Sequence, residues 1–331
     1  MEVLILGGTH FLGRHLAESL VAAGYDVVVL HRGLTGPGLY SKAQTIIADR
    51  AEIAGIDFGG RRFDAVIDTC GYTPGLVELA ANVLRDIAPF YVFVSTVSVY
   101  DLRCDSVNED SRTLDLPAGV DANIKDETFY GELKALCERE VRAIYGKTRC
   151  LVVRPGLIAG PYDFTDRFSY WPWRVSVGGD IIAPVSPDYR IQCIDARDLA
   201  AWIVRCISTR TFGTYNATSP SVPFSTLIDA ASEPHGKSVR MHYLSDQALE
   251  RAGVGPWIEL PLWNAKRIGY DALFNIDLSR AVSHGLRIRP MRETCRDTLA
   301  WLRTRENHQW KAGLSAEREA QILRIPGNRL F

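Results

Sequence analysis

No run of lysine or arginine stands out in this 331-residue chain. Its 38 basic residues face 39 acidic ones, for a formal net charge of −1. The footprint of a nucleic-acid or anionic-membrane partner is therefore missing, and neither is expected. No apolar stretch reaches membrane-spanning length. The apolar first residues lack a basic flank and an obvious cleavage site, and they read as a first strand rather than a leader. Seven cysteines are scattered at 70, 104, 137, 150, 193, 206 and 295, odd in number and without a C-x-x-C pair. That usage suits reduced thiols in a cytoplasmic protein, and no metal site is expected. Internal repeats and low-complexity segments are lacking too. What is plentiful is apolar side chain, 47% of residues, enough to bury one large core or two smaller ones.

The most informative stretch is MEVLILGGTHFLG, an apolar run ending in a glycine turn, followed by RHLAESLVAAG with helical periodicity. Strand, turn and helix follow one another. Gly7 permits a sharp turn, Gly8 leaves the backbone bare, and Gly13 lets the helix lie close on the strand. N–H groups at such a helix start point at a diphosphate, and the helix dipole favours its charge. A plain tight turn is the alternative.

A second stretch adds chemistry. Tyr130-Gly-Glu-Leu-Lys134 lies in a helical segment, Glu127 to Tyr145, so Tyr130 and Lys134 share one face. An ammonium beside a phenol favours the phenolate, which suits proton exchange with a hydroxyl near neutral pH.

Strands are expected at 26–31, 44–48, 63–68, 91–96 and 149–154, with a helix at about 75–88 opened by Pro74. Their alternation with helices predicts a doubly wound α/β fold of Rossmann type: a parallel sheet covered on both faces, its site beyond the strands' C-terminal ends. The second strand ends in His31-Arg32-Gly33 without an acid to hold a ribose 2′-hydroxyl, which favours NADP over NAD.

Together these stretches resemble the extended and atypical short-chain dehydrogenase/reductases, the NAD-dependent epimerase/dehydratase group, over nearly the whole length. The likeness rests on GGTHFLG at 7–13, Asp49 in ADR, VIDTCGY at 66–72, FVSTVSVY at 93–100, YGELK at 130–134, VVRPGLIAGP at 152–161, RDLA at 197–200 and YNAT at 215–218. His10 stands where the usual turn has glycine, and Tyr100-Asp101 replaces the usual Tyr-Gly. The resemblance implies cofactor contacts from Gly7, Thr9, His10, Phe11, Leu12 and Gly13 in the first turn, then from His31, Arg32, Asp49 and Arg50. Further contacts are implied from Cys70, Gly71, Tyr72, Ser95 and Lys134, and from Pro155, Gly156 and Ile158. It also implies a catalytic set of Thr96, Tyr130 and Lys134: a hydroxyl on the reacting oxygen, a proton carrier, and an ammonium that lowers the phenol's pKa and holds the nicotinamide ribose. Sugar-nucleotide 4,6-dehydratases carry Asp-Glu after this threonine, but Val97-Ser98 follows here, which disfavours dehydration by that route.

After Pro161 the texture turns aromatic. Asp166, Arg167, Tyr170 and Trp171, with Ser98 and Tyr100 from the first half, are candidate substrate contacts; a packed junction explains 162–174 equally well. A strand is expected at 191–194, helices at 195–208, 224–233, 245–251, 292–303 and 316–323, and Trp257 to Trp263 is either lid or core. The expected division is a dinucleotide domain of residues 1–165 plus 186–217 and a smaller α/β substrate domain of 166–185 plus 218–331. The reading is an NAD(P)-dependent oxidoreductase or epimerase acting on a sugar-like, nucleoside-like or natural-product molecule, with a homodimer possible. A dehydratase using an internal redox cycle and a non-catalytic dinucleotide sensor or RNA-binding relative are the alternatives.

Overall fold

The computed structural model describes residues 1–35, 42–233, 237–265, 269–305 and 308–325. The chain divides into two compact units: Met1–Gly156 with Ala196–Thr218 and Ile276–Arg287, and Leu157–Asp195 with Ser219–Asn275 and Ile288–Phe331. The first crossover falls at Gly156 rather than at 165. The cause is local pairing: β7 (Leu157–Ala159) runs parallel to β10 (Cys193–Asp195) inside the second unit. Residues 276–287 return to the first unit, where Arg280 on α8 (Ser279–Ser283) pairs with Asp110 at 2.7 Å.

In the first unit, β1 (Glu2–Leu6), β2 (Asp26–His31), β3 (Gln44–Ile47), β4 (Ala65–Asp68), β5 (Tyr91–Val94), β6 (Cys150–Pro155) and β11 (Gly213–Ala217) form one sheet in the order β11-β6-β5-β4-β1-β2-β3. Every neighbour pair is parallel. The central strands are near-continuous apolar runs because both faces are buried. From Val3 to Leu6, and from Ala65 to Ile67, no side chain is exposed. Helix α1 (Phe11–Ala22) packs with α5 (Ala196–Ser208), and α2 (Pro74–Leu84) with α3 (Tyr130–Tyr145). Beneath α2 and α3, Val77, Leu84, Cys137 and Val141 close over Val66, Tyr91, Phe93 and Val152. Strand order reverses between β1 and β4, the crevice where such sheets bind ligands.

The second unit pairs β8 (Gly179–Pro184) with β13 (Val239–Leu244) in parallel, and β9 (Arg190–Ile191) with β12 (Val222–Pro223) antiparallel. Neither β8 nor β13 is evident from the sequence. Helices α4 (Tyr170–Val177), α6 (Phe224–Ser232), α7 (Asp246–Arg251), α9 (Met291–Leu302) and α10 (Ala316–Leu323) complete it. Its core gathers Phe168, Tyr170, Trp171, Phe224, Leu260, Leu262 and Trp263. The segment 257–263 is therefore largely core, not a lid. Tyr170 and Trp171 are 1% and 0% exposed; with no face left for a ligand, they are structural and not substrate contacts.

Candidate active site

Strand β1 delivers the chain to Gly7 and Gly8, both at φ +97°, a conformation that only glycine adopts without strain. A Cβ at Gly8 would lie 2.6 Å from Val29 Cγ1, and one at Gly13 would lie 2.5 Å from the Cα of Gly8. The start of α1 is thus held against a bare turn. His10 precedes the helix without a side-chain cap, and Phe11 opens it at φ +31°, so the helix start is a strained one. The helix starts behind a glycine turn with Phe11 and Leu12 buried in its first residues, and helix starts of this kind are where backbone N–H groups meet anions. Thr9 Oγ1 lies 2.7 Å from Thr35 Oγ1, tying this turn to the loop after β2. At the end of β2, His31 Nδ1 accepts the Gly33 N–H at 3.0 Å, and burial lowers its pKa. Arg32 beside it is exposed.

Asp49 and Arg50 are both engaged. Asp49 caps the short 3-10 helix Arg50–Gly55 by accepting from the Ala51 N–H at 2.9 Å, the role that a turn-capping aspartate has. Arg50, 8% exposed, donates to Asp68 Oδ1 at 2.8 Å and Oδ2 at 2.9 Å, and to the Leu76 carbonyl at 3.1 Å. Tyr91 Oη donates to the same carboxylate at 2.7 Å. Arg50 is therefore the counter-ion of a fully buried carboxylate at the end of β4 and not a cofactor contact. Burial and the Asp68 charge push the Cys70 thiol up to about 11, so it stays protonated.

From β5 the chain passes through Ser95 and Thr96 into the short turn Val97–Val99. Thr96 Oγ1 accepts the Ser98 N–H at 3.1 Å and donates to Ser98 Oγ at 3.2 Å. Helix α3 comes down on this turn because residue 131 is glycine: a Cβ there would collide with the Ser98 carbonyl. Tyr130, half-buried, stands at the first position of α3 and Lys134 one turn on. Lys134 is buried, and its Nζ donates to the Gly71 and Val94 carbonyls, both at 2.7 Å. Those carbonyls follow β4 and end β5, so the ammonium bridges two strand ends beside the switch point. Burial lowers its pKa. Tyr72 lies against the same charge, its ring centre 5.8 Å from Lys134 Nζ.

The remaining candidates divide. Ser98 is half-buried beside Thr96. Gly156 follows Pro155, and its N–H donates to the Ala217 carbonyl at 3.1 Å. Ile158 belongs to the second unit. Tyr100 is 1% exposed, with its hydroxyl donated to Asn216 Oδ1 at 2.7 Å and accepting from Arg154 Nη1 at 2.7 Å; it is a network member, not a substrate contact. Asp166 is fully buried, accepting from His308 Nε2 and the Lys311 N–H, each at 2.9 Å. With both oxygens used, it pins the segment around 308–311 and does not face a ligand. Arg167 remains half-buried, its guanidinium 5.9 Å from the Trp257 ring centre. Two residues given no role in the sequence reading matter here, Glu138 and Arg154. The only signal for Glu138 was its position four after Lys134. Among the described residues, no cluster of three or more His, Cys, Asp or Glu is placed to hold a metal, and no helix is long and apolar enough to cross a membrane.

A family model for the NAD dependent epimerase/dehydratase family matches residues 3–217. The chain belongs to that family. A curated relative, subunit 9 of the NADH dehydrogenase [ubiquinone] 1 alpha subcomplex from Dictyostelium discoideum mitochondria, is 25% identical over 62% of this chain. The match spans about half of that relative, 55% of its length. Among solved structures, the Bordetella bronchiseptica enzyme WbmH in complex with NAD+ shares 19% identity at a TM-score of 0.66, over 91% of this chain and 98% of its own. UDP-glucuronic acid 4-epimerase from Bacillus cereus in complex with NAD shares 16% at 0.66, over 92% and 97%. At these identities the likeness is one of fold, and it agrees with the doubly wound sheet seen here. The bare glycine turn before α1 and a buried ammonium whose described hydrogen bonds go to carbonyls alone fit a dinucleotide.

Proposed function

We propose that this family member is a working NAD(P)-dependent enzyme that moves hydride at a hydroxyl or ketone carbon of a sugar-like, nucleoside-like or natural-product small molecule. The observation that carries the reading is Lys134: a buried cation spanning the ends of β4 and β5, one turn along α3 from Tyr130 and next to the turn that Thr96 caps. Burying an ammonium is costly, and a dinucleotide ribose supplies a reason to keep one there. In this reading Gly7, Thr9, Gly13 and the start of α1 hold the diphosphate, and His31 and Arg32 hold the adenosine side. Tyr72 and Lys134 hold the nicotinamide side. The bound nicotinamide supplies the hydride chemistry. Tyr130 exchanges the proton of the reacting hydroxyl. Lys134 keeps the phenolate accessible, and Thr96 gives its hydroxyl hydrogen to the oxygen where charge develops.

The exposed Arg32 and the lack of an acid after β2 favour NADP; the solved neighbours named above carry NAD. Membership of an epimerase/dehydratase family supports an internal cycle in which hydride is taken and returned. The seven free cysteines, five of them buried, suit the cytoplasm.

Positioned acid–base help is worth about 10²- to 10⁴-fold. Tyr130→Phe is expected to lower turnover at least 100-fold while leaving dinucleotide affinity nearly unchanged, and full turnover in that variant removes Tyr130 from the mechanism. The net reaction is decided by denaturing the protein, purified without added nucleotide, and identifying what it releases by mass spectrometry. Stoichiometric oxidised dinucleotide supports the internal cycle. An empty protein that binds NADPH far more tightly than NADH supports a net reductase.

A further inference from the structure

Helix α3 carries three contacts to the ends of the sheet strands and the turn after β5, spaced one turn apart on a single stripe about 10 Å long. Gly131 meets the Ser98 carbonyl, and Lys134 holds the Gly71 and Val94 carbonyls. The third is Glu138. Its carboxylate accepts from Ser95 Oγ at 2.6 Å, from Arg154 Nε at 2.8 Å and Nη2 at 2.6 Å, and from Arg142 Nη2 at 3.0 Å. Glu138 and Arg154 are 1% and 3% exposed. Arg154 passes the connection on through Tyr100 Oη to Asn216 on β11, and Arg142 reaches Thr214 Oγ1 on the same strand at 2.7 Å.

A buried ion pair of this kind adds little net stability compared with well-packed apolar side chains of similar volume. What it supplies is direction. The bidentate fork of Arg154 fixes the carboxylate in plane and angle, and that carboxylate grips the residue directly before Thr96. Lys134 grips the residue before that. Strand end and helix are thus registered to each other by two consecutive residues, Val94 and Ser95, held from one stripe of α3, with Ser98 against Gly131 on the same stripe.

We propose that Glu138 and Arg154 are positioning residues, a clamp that sets where Tyr130 and Lys134 stand against Thr96. The inference rests on the reading of Tyr130, Lys134 and Thr96 as the reacting set. Glu138 and Arg154 are both buried, and they act by holding α3 in register.

The test follows the proton on Tyr130 and needs no substrate. Phenolate absorbance is titrated in the protein and in its Tyr130→Phe counterpart, and the difference isolates Tyr130 from the other tyrosines. In the native protein Tyr130 is expected to release its proton at lower pH than an exposed tyrosine if the Lys134 ammonium, one turn along the same face of α3, acts on it as the proposed function has it. In Glu138→Leu/Arg154→Met, which fills the site with apolar volume, removes both buried charges together and leaves Arg142, partly exposed, on Thr214, the proton affinity of Tyr130 should rise at least tenfold while circular dichroism shows the fold retained. Ser95→Ala, which removes one hydrogen bond of the clamp, should raise it about two- to threefold. A folded double variant with the native Tyr130 titration overturns the proposal. If the double variant does not fold, Ser95→Ala decides, and an unchanged titration there overturns it equally. An ordinary Tyr130 titration in the native protein is a different failure: it removes the activated phenol and, with it, anything for the clamp to position.

Discussion

At the scale of single residues, the same chemical type serves opposite ends depending on what surrounds it. Two aspartates show this. Asp49 sits in a loop and caps a short 3-10 helix, whereas Asp68 is buried with two Arg50 bonds and a tyrosine hydroxyl. Arginine 50 owes its place to that second aspartate. Asp166 belongs with Asp68. It stands in an aromatic stretch that reads as a ligand site, yet its backbone is at φ +61° and both carboxylate oxygens are taken inside the second unit. Asp166→Ala removes two hydrogen bonds and leaves a methyl-bearing residue in a conformation that aspartate and asparagine tolerate better. Each lost hydrogen bond to a charged group is worth about 1.5–3 kcal/mol. Denaturant unfolding is expected to show a loss of about 3–6 kcal/mol, with dinucleotide affinity intact. A variant that unfolds normally but loses substrate affinity would return Asp166 to the role of ligand contact.

At the scale of elements, the parts of the sequence that were readable are those where backbone geometry dictates the residue. Strands β1, β2 and β5 are continuous apolar runs because both faces of a parallel sheet are buried, and the turn after β1 needs glycine. The start of α3 was legible for the same reason, since Tyr130 and Lys134 lie at helical spacing. The second unit was less legible. Strand β8 alternates weakly and begins at Gly179, and its partner β13 lies some 60 residues on, so the pairing is a long-range event that no local pattern announces. Tyr170 and Trp171 are amphipathic aromatics, and composition cannot distinguish a stacking platform from a core. Glu138 and Arg154 are 16 residues apart and meet only when α3 crosses the end of β6. The α1 contact gives an element-scale prediction. Replacing Gly13 by valine puts a branched side chain where a bare Cβ would already lie 2.5 Å from the Gly8 Cα and 2.7 Å from its nitrogen. A mid-helix glycine costs about 1 kcal/mol against alanine, so valine recovers a little helix propensity. The obstructing atoms are backbone and cannot swing away, so overpacking of about 1–3 kcal/mol prevails. Gly13→Val should therefore lift α1 from the turn and weaken dinucleotide binding at least tenfold, as measured by calorimetric titration with NADPH and NADH; native affinity would mean that the helix start is not the diphosphate site.

At the scale of the whole molecule, each unit buries apolar side chains of its own. In the first, one cluster lies between the parallel sheet and the α2/α3 layer, and Leu16, Leu20, Leu199 and Ile203 are buried on α1 and α5 as well. In the second, the buried side chains surround Trp171, Phe224 and Trp263. Every residue proposed to hold the dinucleotide apart from Ile158 lies in the first unit, so binding energy enters the folding equilibrium through that unit. A ligand that binds only the folded form stabilises it by RT ln(1 + [L]/Kd), about 2.7 kcal/mol at a hundred times Kd. For a domain of this size that corresponds to a rise in melting temperature of about 2–4 °C per kcal/mol, or about 5–10 °C in all. Calorimetric scans with saturating NADPH should show a rise of that size in the transition that exposes the first unit's core. Two resolved transitions, of which only one moves, would mean that the cores unfold independently; a single transition that moves would mean that they unfold as one. A transition indifferent to NADPH and NADH at millimolar concentration would remove the dinucleotide from the first unit altogether, and with it the reason for a buried Lys134.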